Sequence, residues 1–407
     1  MATPYDVIVV GARCAGSPTA MLLARKGYRV LVVDRATFPS DTVSTHVIHA
    51  PGVAALERWG VLDRVVASGC PPIDTYAFNF GPIQFAGSPR PVDGNARGYA
   101  PRRTILDKIL VDAAAEAGAE VREKFTVQEI VRDGDGRVTG IRGHDANGTT
   151  VTEDARVVVG ADGRFSMVAK AIEPEQYNDR PPIQGGFYAY WSNLPIDAFA
   201  IYARDYEGFG LIPTNDDLTL VVAGMQHARF KDEFRHDVEG TFTRIVESVP
   251  GFGDRMRAAT RETRFTSTGE LENFFRKPYG PGWALVGDAG YHKDPITAFG
   301  ITDAFHQVEL LVDALDQPFS GTRTYDDAMG DYQRQRDEGS LPMFELTCQI
   351  AALEPPPPEQ QQLFGAIATN QDAANDFASV MAGTRPPPEF FAPENVGRIM
   401  EAAGAPG

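Results

Sequence analysis

Two acidic residues, each closing an apolar strand, are where this sequence can do chemistry. The first is Asp34. Asp6-Val-Ile-Val-Val10 runs into Gly11-Ala12-Arg13-Cys14-Ala15-Gly16, and after a helical stretch Val30-Leu-Val-Val33 ends on Asp34-Arg35. This is the dinucleotide-binding pattern: a strand, a glycine turn, a helix whose free N–H groups face a pyrophosphate, and an acid about 20 positions on for a ribose hydroxyl. Gly11 allows the tight turn, and Gly16 lets helix and strand pack closely. Arg13 replaces the central glycine, and its side chain is expected to turn outward and lend its charge to the ligand. On this segment alone the dinucleotide is NAD(P) or FAD. The second acid is Asp288, where Trp283-Ala-Leu-Val286 ends on Gly287-Asp288. A simple nicotinamide dehydrogenase has no role for it.

Other reactive side chains are fewer. His46 and His49 stand in the loop before Pro51. With an ordinary pKa near ~6.5, each suits a proton donor, an orienting group or a hydrogen-bonded structural role. His292 and Lys293 could guide a substrate, but the plainer expectation is exposed loop charge. Cys14 looks small, buried and structural. The three cysteines (Cys14, Cys70, Cys348) form no CxxC and no metal spacing, so no metal is expected and a reducing cytoplasm is.

The elements that must position these groups follow from pattern. A helix is expected from Cys14 to Lys26, stopped by Gly27, and another from Pro51 to Trp59. Strands are expected within 73–88, where Tyr76, Phe78 and Phe80 alternate. Thr104-Ile-Leu-Asp107 reads as a capping box before a helix closed by Gly118. Asp133-Gly-Asp-Gly136 and Asn147-Gly148 are hairpin signals, leading to Arg156-Val-Val-Val-Gly160 and Ala161-Asp162-Gly163. Residues 183–227 read as aromatic-rich β structure, 230–249 as a polar helix and 264–270 as a strand. Phe305, Val308, Leu311, Val312 and Leu315 share one helix face. At 407 residues, 43% of them apolar, the chain suits two or three domains. Its net charge of −17 argues against a nucleic-acid partner, and no run of ~20 apolar residues suggests a membrane span. The expected organisation is an α/β nucleotide domain from 1–72, 98–175 and 270–320. A β-rich substrate domain would come from 73–97 and 176–269, and a C-terminal helical segment from 321–407.

Gly11–Gly16 with Asp34-Arg35, Gly160-Ala-Asp-Gly163 and Gly287-Asp-Ala289 resemble, in order and separation, the three fingerprints of class A flavoprotein monooxygenases, the p-hydroxybenzoate hydroxylase-type family. The resemblance covers about residues 5–320. It implies a three-layer glutathione-reductase-like FAD-binding domain with an inserted, mostly β substrate domain and C-terminal helices. It implies non-covalent FAD, NAD(P)H as co-substrate, and molecular oxygen and a small molecule as reaction partners. Oxygen would be inserted through a flavin C4a-hydroperoxide into a largely apolar, aromatic compound. By the same resemblance Asp288 would hold the ribityl hydroxyls, and Pro295 would lie beside the reactive flavin edge as a catalytic position with His46 and His49. N–H groups at Gly300, Ile301 and Thr302 would face the pyrimidine end, where a helix start stabilises negative charge. Arg103 takes the place of a flavin-contacting polar residue, Asp162 is the acid of the middle motif, and Val127 completes the cofactor set.

In Gly186-Phe-Tyr188-Ala-Tyr190-Trp191, period-2 geometry puts Tyr188 and Tyr190 on one face and Phe187 and Trp191 on the other. Tyr188, Tyr190 and Phe80 are the substrate-pocket candidates. Two related flavoenzymes remain open. Flavin-dependent halogenases use a Trp-x-Trp-x-Ile motif and a lysine, and geranylgeranyl-reductase-like enzymes a Tyr-x-Trp-x-Phe-Pro motif. Tyr188–Pro195 only approximates either. A non-catalytic FAD carrier would need a blocked flavin edge, for which bulky Phe299 is the candidate. The C-terminal helices are expected to cap the FAD domain or cover the pocket entrance.

Overall fold

The computed structural model describes residues 3–91 and 94–404; residues 1–2, 92–93 and 405–407 of the expected domain spans lie outside the described residues. In chain order the elements used below begin with β1 (Tyr5–Val10), α1 (Gly16–Arg25), β2 (Val30–Val33), α2 (Ala50–Arg58), β3 (Tyr76–Phe80) and β4 (Ile83–Gly87). Next come α3 (Arg103–Glu116), β5 (Glu120–Arg122), β6 (Thr126–Arg132), β7 (Val138–His144) and β8 (Thr150–Gly160). The second sheet adds β9 (Gln184–Ser192), β10 (Phe199–Arg204), β11 (Glu207–Pro213) and β12 (Thr219–Gln226). The chain then returns through β13 (Trp283–Leu285) to α4 (Gly300–Ser320), α5 (Tyr325–Ala351), α6 (Pro358–Ala368), α7 (Gln371–Met381) and α8 (Pro393–Ala402).

The fold is mixed α/β. Its first sheet runs β13-β8-β1-β2-β5, all parallel. Such a sheet must be covered on both faces, which explains why Val7, Ile8 and Val9 are all apolar and fully buried. Helices α1, α3 and α4 cover one face, and the β6–β7–β8 meander covers the other. Strand β8 joins the two layers: Thr150–Asp154 pairs antiparallel with β7, and its later residues pair parallel with β1. The three-layer expectation is met in this arrangement.

The second sheet runs β9-β12-β11-β10-β3-β4. Its faces differ as the alternation requires. Phe187 and Trp191 pack with Phe242, Ile245 and Phe252 from helices of 227–258, whereas Tyr188 and Tyr190 join a cluster with Val47, Tyr76 and the C-terminal helices. The single polar helix expected over 230–249 is instead two short ones, His227–His236 and Val238–Glu247, with a third, Phe252–Ala258, after it. Asp237 is non-helical and caps the second through Gly240 N, which explains the break. The expected 264–270 strand shrinks to Thr266–Thr268.

Past α5 the chain folds back over β3 and β4. Phe364 stacks on Phe80 at 4.6 Å with an 8° interplanar angle, and Phe377 meets the Phe78 and Phe85 rings edge-on. Burying each such ring contributes roughly 1.5–3 kcal/mol. Phe390, fully buried, closes the cluster against Phe377.

Candidate functional site

The β1–α1 turn is built where only glycine fits. Gly11 has φ +101°, and a Cβ there would lie 2.5 Å from the Ala161 carbonyl oxygen; one at Gly16 would lie 1.7 Å from that of Gly11. Asp34, at the end of β2, accepts from Ala12 N and Ala36 N, each at 2.8 Å, tying the turn to the next strand. Arg35 beside it is exposed. Ala12 and Ala15 are buried under the turn.

Arg13 does not turn outward. Its guanidinium lies over the Phe38 ring, bonds Ser40 Oγ at 2.9 Å and donates to Asp107 Oδ2 at 2.5 Å. Asp107 is fully buried and also takes both arms of Arg103, at 3.0 and 3.1 Å, and the Cys14 thiol at 3.4 Å. The capping box expected from Thr104 and Asp107 is absent, because two arginines outcompete a backbone N–H for this carboxylate. Burial pushes the Cys14 thiol well up from its ordinary pKa, consistent with a structural role.

The return segment closes on this turn. Gly287 has φ +62°, and a Cβ would meet Ala15 Cβ at 2.9 Å; its N–H donates to Gln307 Oε1 at 3.0 Å. Asp288 is half-buried, and its charge acts on Arg103, Arg164 and His292. Asp162 has a visible structural task. It accepts from Ser166 Oγ, Met167 N (2.6 Å) and Val168 N (3.2 Å), capping the helix Met167–Ile172. Burial raises its pKa, and these donors oppose the rise. Val127 lies in β6 against the meander-side core.

These residues fit FAD. The glycines at 11, 16 and 287 leave a cradle that a Cβ would fill. Three buried polar atoms near it, Arg164 Nη1, Gln307 Nε2 and His46 Nδ1, have no partner within the protein. Gly300, at the start of α4, is exposed with open space around its Cα, and no side chain caps that helix start. Ile301 and Thr302 are buried, Thr302 Oγ1 accepting from His49 N at 2.9 Å.

The two candidate histidines separate clearly. His49 is satisfied on both ring nitrogens, Nε2 against the Thr297 carbonyl at 3.0 Å and Nδ1 against the Tyr76 hydroxyl at 2.8 Å. Burial lowers its pKa to about 4, the Thr297 bond opposing. His46, at φ +66°, is also fully buried but has one nitrogen free. Its Nε2 contacts the Tyr190 hydroxyl, its ring lies 5.7 Å from Tyr190 and 6.2 Å from Tyr188, and Nδ1 has no partner. Burial, then the charges of Arg103 and Arg102, lower its pKa to about 3. Burial pushes Tyr188 up to about 12. The structure therefore brings His46 to Tyr188 and Tyr190. Phe80 lies four strands away under Phe364.

Three more groups sit in the loop before α4. His292 and Lys293 are buried rather than exposed: His292 Nδ1 contacts the Glu272 carbonyl, and Lys293 bonds Tyr291 Oη at 3.0 Å and Asp303 in the first turn of α4. A loop threaded between a strand pair and a helix start leaves no solvent for them. Asp294 was invisible to sequence reading. It is 1% exposed, caps the turn that Pro295 begins, contacts Gln184 Nε2, and leaves Oδ2 unpartnered. Burial pushes its pKa up to about 7. Phe299 packs on His49 at 4.3 Å, and a Cβ on Gly383 would touch its ring, so its bulk fills the junction with the C-terminal segment.

A match to the family described as FAD binding domain spans residues 4–340. The chain is 23% identical over 336 residues to a tryptophan 2-halogenase of Chondromyces crocatus, covering 81% of this chain and 64% of that protein. It is 28% identical over 317 residues to a digeranylgeranylglycerophospholipid reductase of Methanocella arvoryzae, covering 75% of each. Among solved structures, a myxobacterial chondrochloren halogenase superposes with TM-score 0.77 at 21% identity, covering 99% of this chain and 97% of that one. A probable FAD-dependent monooxygenase from Pseudomonas aeruginosa gives TM-score 0.72 at 20% identity, covering 93% and 99%. At these identities the superpositions show a shared fold. Among the described residues, no helix is long and apolar enough to cross a membrane.

Proposed function

The chain belongs to the FAD binding domain family and is an FAD-dependent oxidoreductase; from that premise we propose that it is an NAD(P)H-consuming monooxygenase that puts one oxygen atom into a largely apolar, aromatic small molecule. The observation that carries this reading is the meeting of His46 with Tyr188 and Tyr190, with one buried ring nitrogen left free.

Bound FAD supplies electron transfer from NAD(P)H and the activation of oxygen. The turn Gly11–Gly16, Asp34, Arg103 and Asp288 would hold it, and the uncapped start of α4 would set a positive dipole end toward it. The protein's own work lies around His46. Tyr188 and Tyr190 form an aromatic wall that excludes water from an apolar substrate. His46, neutral across the working pH range, offers Nδ1 to a substrate hydroxyl or ring proton while Tyr190 fixes its ring. Against a halogenase-like role, β3 and β4 contain no lysine, and Lys293 is engaged by Asp303 and Tyr291.

The test is a screen of aromatic compounds for NAD(P)H oxidation by the FAD-loaded protein under labelled oxygen. A product carrying one labelled oxygen atom supports the reading. A protein that oxidises NAD(P)H yet never yields an oxygenated product refutes it. The likeness to prenyl-lipid reductases favours a second reading, reduction of an isolated double bond. Turnover without oxygen would select it.

A further inference from the structure

A cavity of about 660 Å³ opens on the second sheet, with Asn79, Tyr202, Arg204, Phe252 and Arg255 in its wall. It is remote from the flavin chemistry in a definite sense. Tyr202 packs with the core that holds Phe187 and Trp191, on the sheet face opposite Tyr188 and Tyr190. A molecule lodged there is separated from His46 by the sheet itself.

The wall combines a flat apolar surface with hydrogen-bond donors. Tyr202 stacks on Phe209 with centroids 4.5 Å apart and rings 9° from parallel, and Phe252 closes on these rings at 5.4 and 4.8 Å. Arg204 gives one nitrogen, Nη1, to the carbonyls of Asn79 and Ala203 at 3.2 and 2.7 Å, which fixes the guanidinium. Arg255 lies 5.1 Å over the Phe252 ring and reaches the Pro195 carbonyl at 3.4 Å. Asn79 uses Oδ1 on Gly81 N at 3.2 Å, leaving its amide hydrogens free to donate.

No Asp or Glu lines the cavity, and Asp254, next to Arg255 in sequence, and Glu247 are both paired with Arg257, at 2.5 and 2.9 Å. Burial lowers the pKa of Arg204, with only Tyr202 acting against it, so no carboxylate offsets its charge. In a chain of net charge −17, two guanidiniums sharing one cavity without an acid form a local positive site. Its volume falls in the range of small-molecule sites, and a guanidinium fork matches a carboxylate.

We propose that this cavity binds a planar aromatic carboxylate, its ring against the Tyr202–Phe252 wall and its anion held by Arg204 and Arg255. The proposal goes beyond the monooxygenase reading and does not depend on it.

The experiment is calorimetric titration of the FAD-loaded protein with 2-naphthoate and, in parallel, with uncharged 2-naphthamide. Saturable naphthoate binding is expected, with the amide at least tenfold weaker. Arg204→Gln/Arg255→Gln should raise the naphthoate Kd at least tenfold while circular dichroism and flavin absorbance stay as in the parent. Tyr190→Phe, on the other face, should leave that Kd unchanged. The amide comparison uses the unaltered protein, so the test stands even if the double variant does not fold. Absence of saturable binding, equal binding of the amide, indifference to the arginine substitutions in a folded variant, or loss of binding in Tyr190→Phe would each overturn the proposal.

Discussion

Asp107→Ala should be the most damaging single change beside the cofactor turn. The carboxylate is fully buried and holds Arg13 at 2.5 Å and both arms of Arg103 at 3.0 and 3.1 Å. Arg103 is only 8% exposed, so losing Asp107 strands a buried guanidinium, which costs about 3–5 kcal/mol. The Arg13 side chain is 24% exposed and can be rehydrated, so Arg13→Ala should cost only about 1 kcal/mol. Removing both charges relieves the stranding: Arg103→Met/Asp107→Leu should recover about 2 kcal/mol of the Asp107→Ala loss. Urea unfolding followed by the buried Trp59 and Trp283, which lie in the cores on opposite faces of the first sheet, measures stability. Flavin fluorescence quenching measures FAD affinity, where each ~1.4 kcal/mol of lost organisation raises Kd tenfold. If Asp107→Ala stays within about 1 kcal/mol of the parent and binds FAD equally well, the argument that this carboxylate organises the turn is wrong.

Other outcomes follow from the same geometry. Gly287→Ala, at φ +62° and 2.9 Å from Ala15 Cβ, should abolish FAD retention. Gly300→Ala enters open space, so it should leave apoprotein stability within ~0.5 kcal/mol and weaken only FAD binding; equal FAD affinity would mean the ligand stays clear of the α4 start. Phe364→Ala removes the ring stacked on Phe80 and should cost about 3–5 kcal/mol, read as a lowered urea midpoint. Stability should also depend on pH in a signed way. His46 and His49 have folded pKa values of about 3 and 4, below the ordinary ~6.5, so each destabilises the fold as pH drops below ~6.5, by up to ~1.4 kcal/mol per unit. Asp294, raised to about 7, acts oppositely, its contribution being whole below ~4 and lost as pH rises through 7. Asp294→Asn should therefore steepen the loss between pH 6.5 and 4.5, and an unchanged slope in urea midpoints would count against a neutral buried Asp294.

The parts of the fold legible in sequence are those where backbone demands a residue type. Gly11, Gly16 and Gly287 are written as glycine because a Cβ has nowhere to go, and Tyr188 and Tyr190 share a face because strand geometry alternates. What was illegible depends on partners from afar. Thr104 and Asp107 have the spacing of a capping box, yet Asp107 binds Arg13 from 94 positions away, which no local pattern announces. His292 and Lys293 read as loop charge, and Asp294 carries no signal, because burial by Glu272, α4 and Gln184 is a tertiary fact. The C-terminal helices carry no chemical motif, so only their aromatic contacts with β3 and β4 reveal what they cover.

The closure of Gly287 onto Ala15 has a consequence for biosynthesis. The two walls of the cofactor cradle lie about 270 residues apart in the chain, yet their β-carbons would nearly touch. At roughly 5–20 residues per second, β1 and its turn wait on the order of 15–60 s on the ribosome before the strand that completes the cradle is made. During that interval the chain lacks the Gly287 wall of the cradle. A cofactor gripped by both walls therefore enters after β13 docks, as a late fastener joining the first-made and later-made parts of the sheet, and its binding then adds to the stability of the folded form.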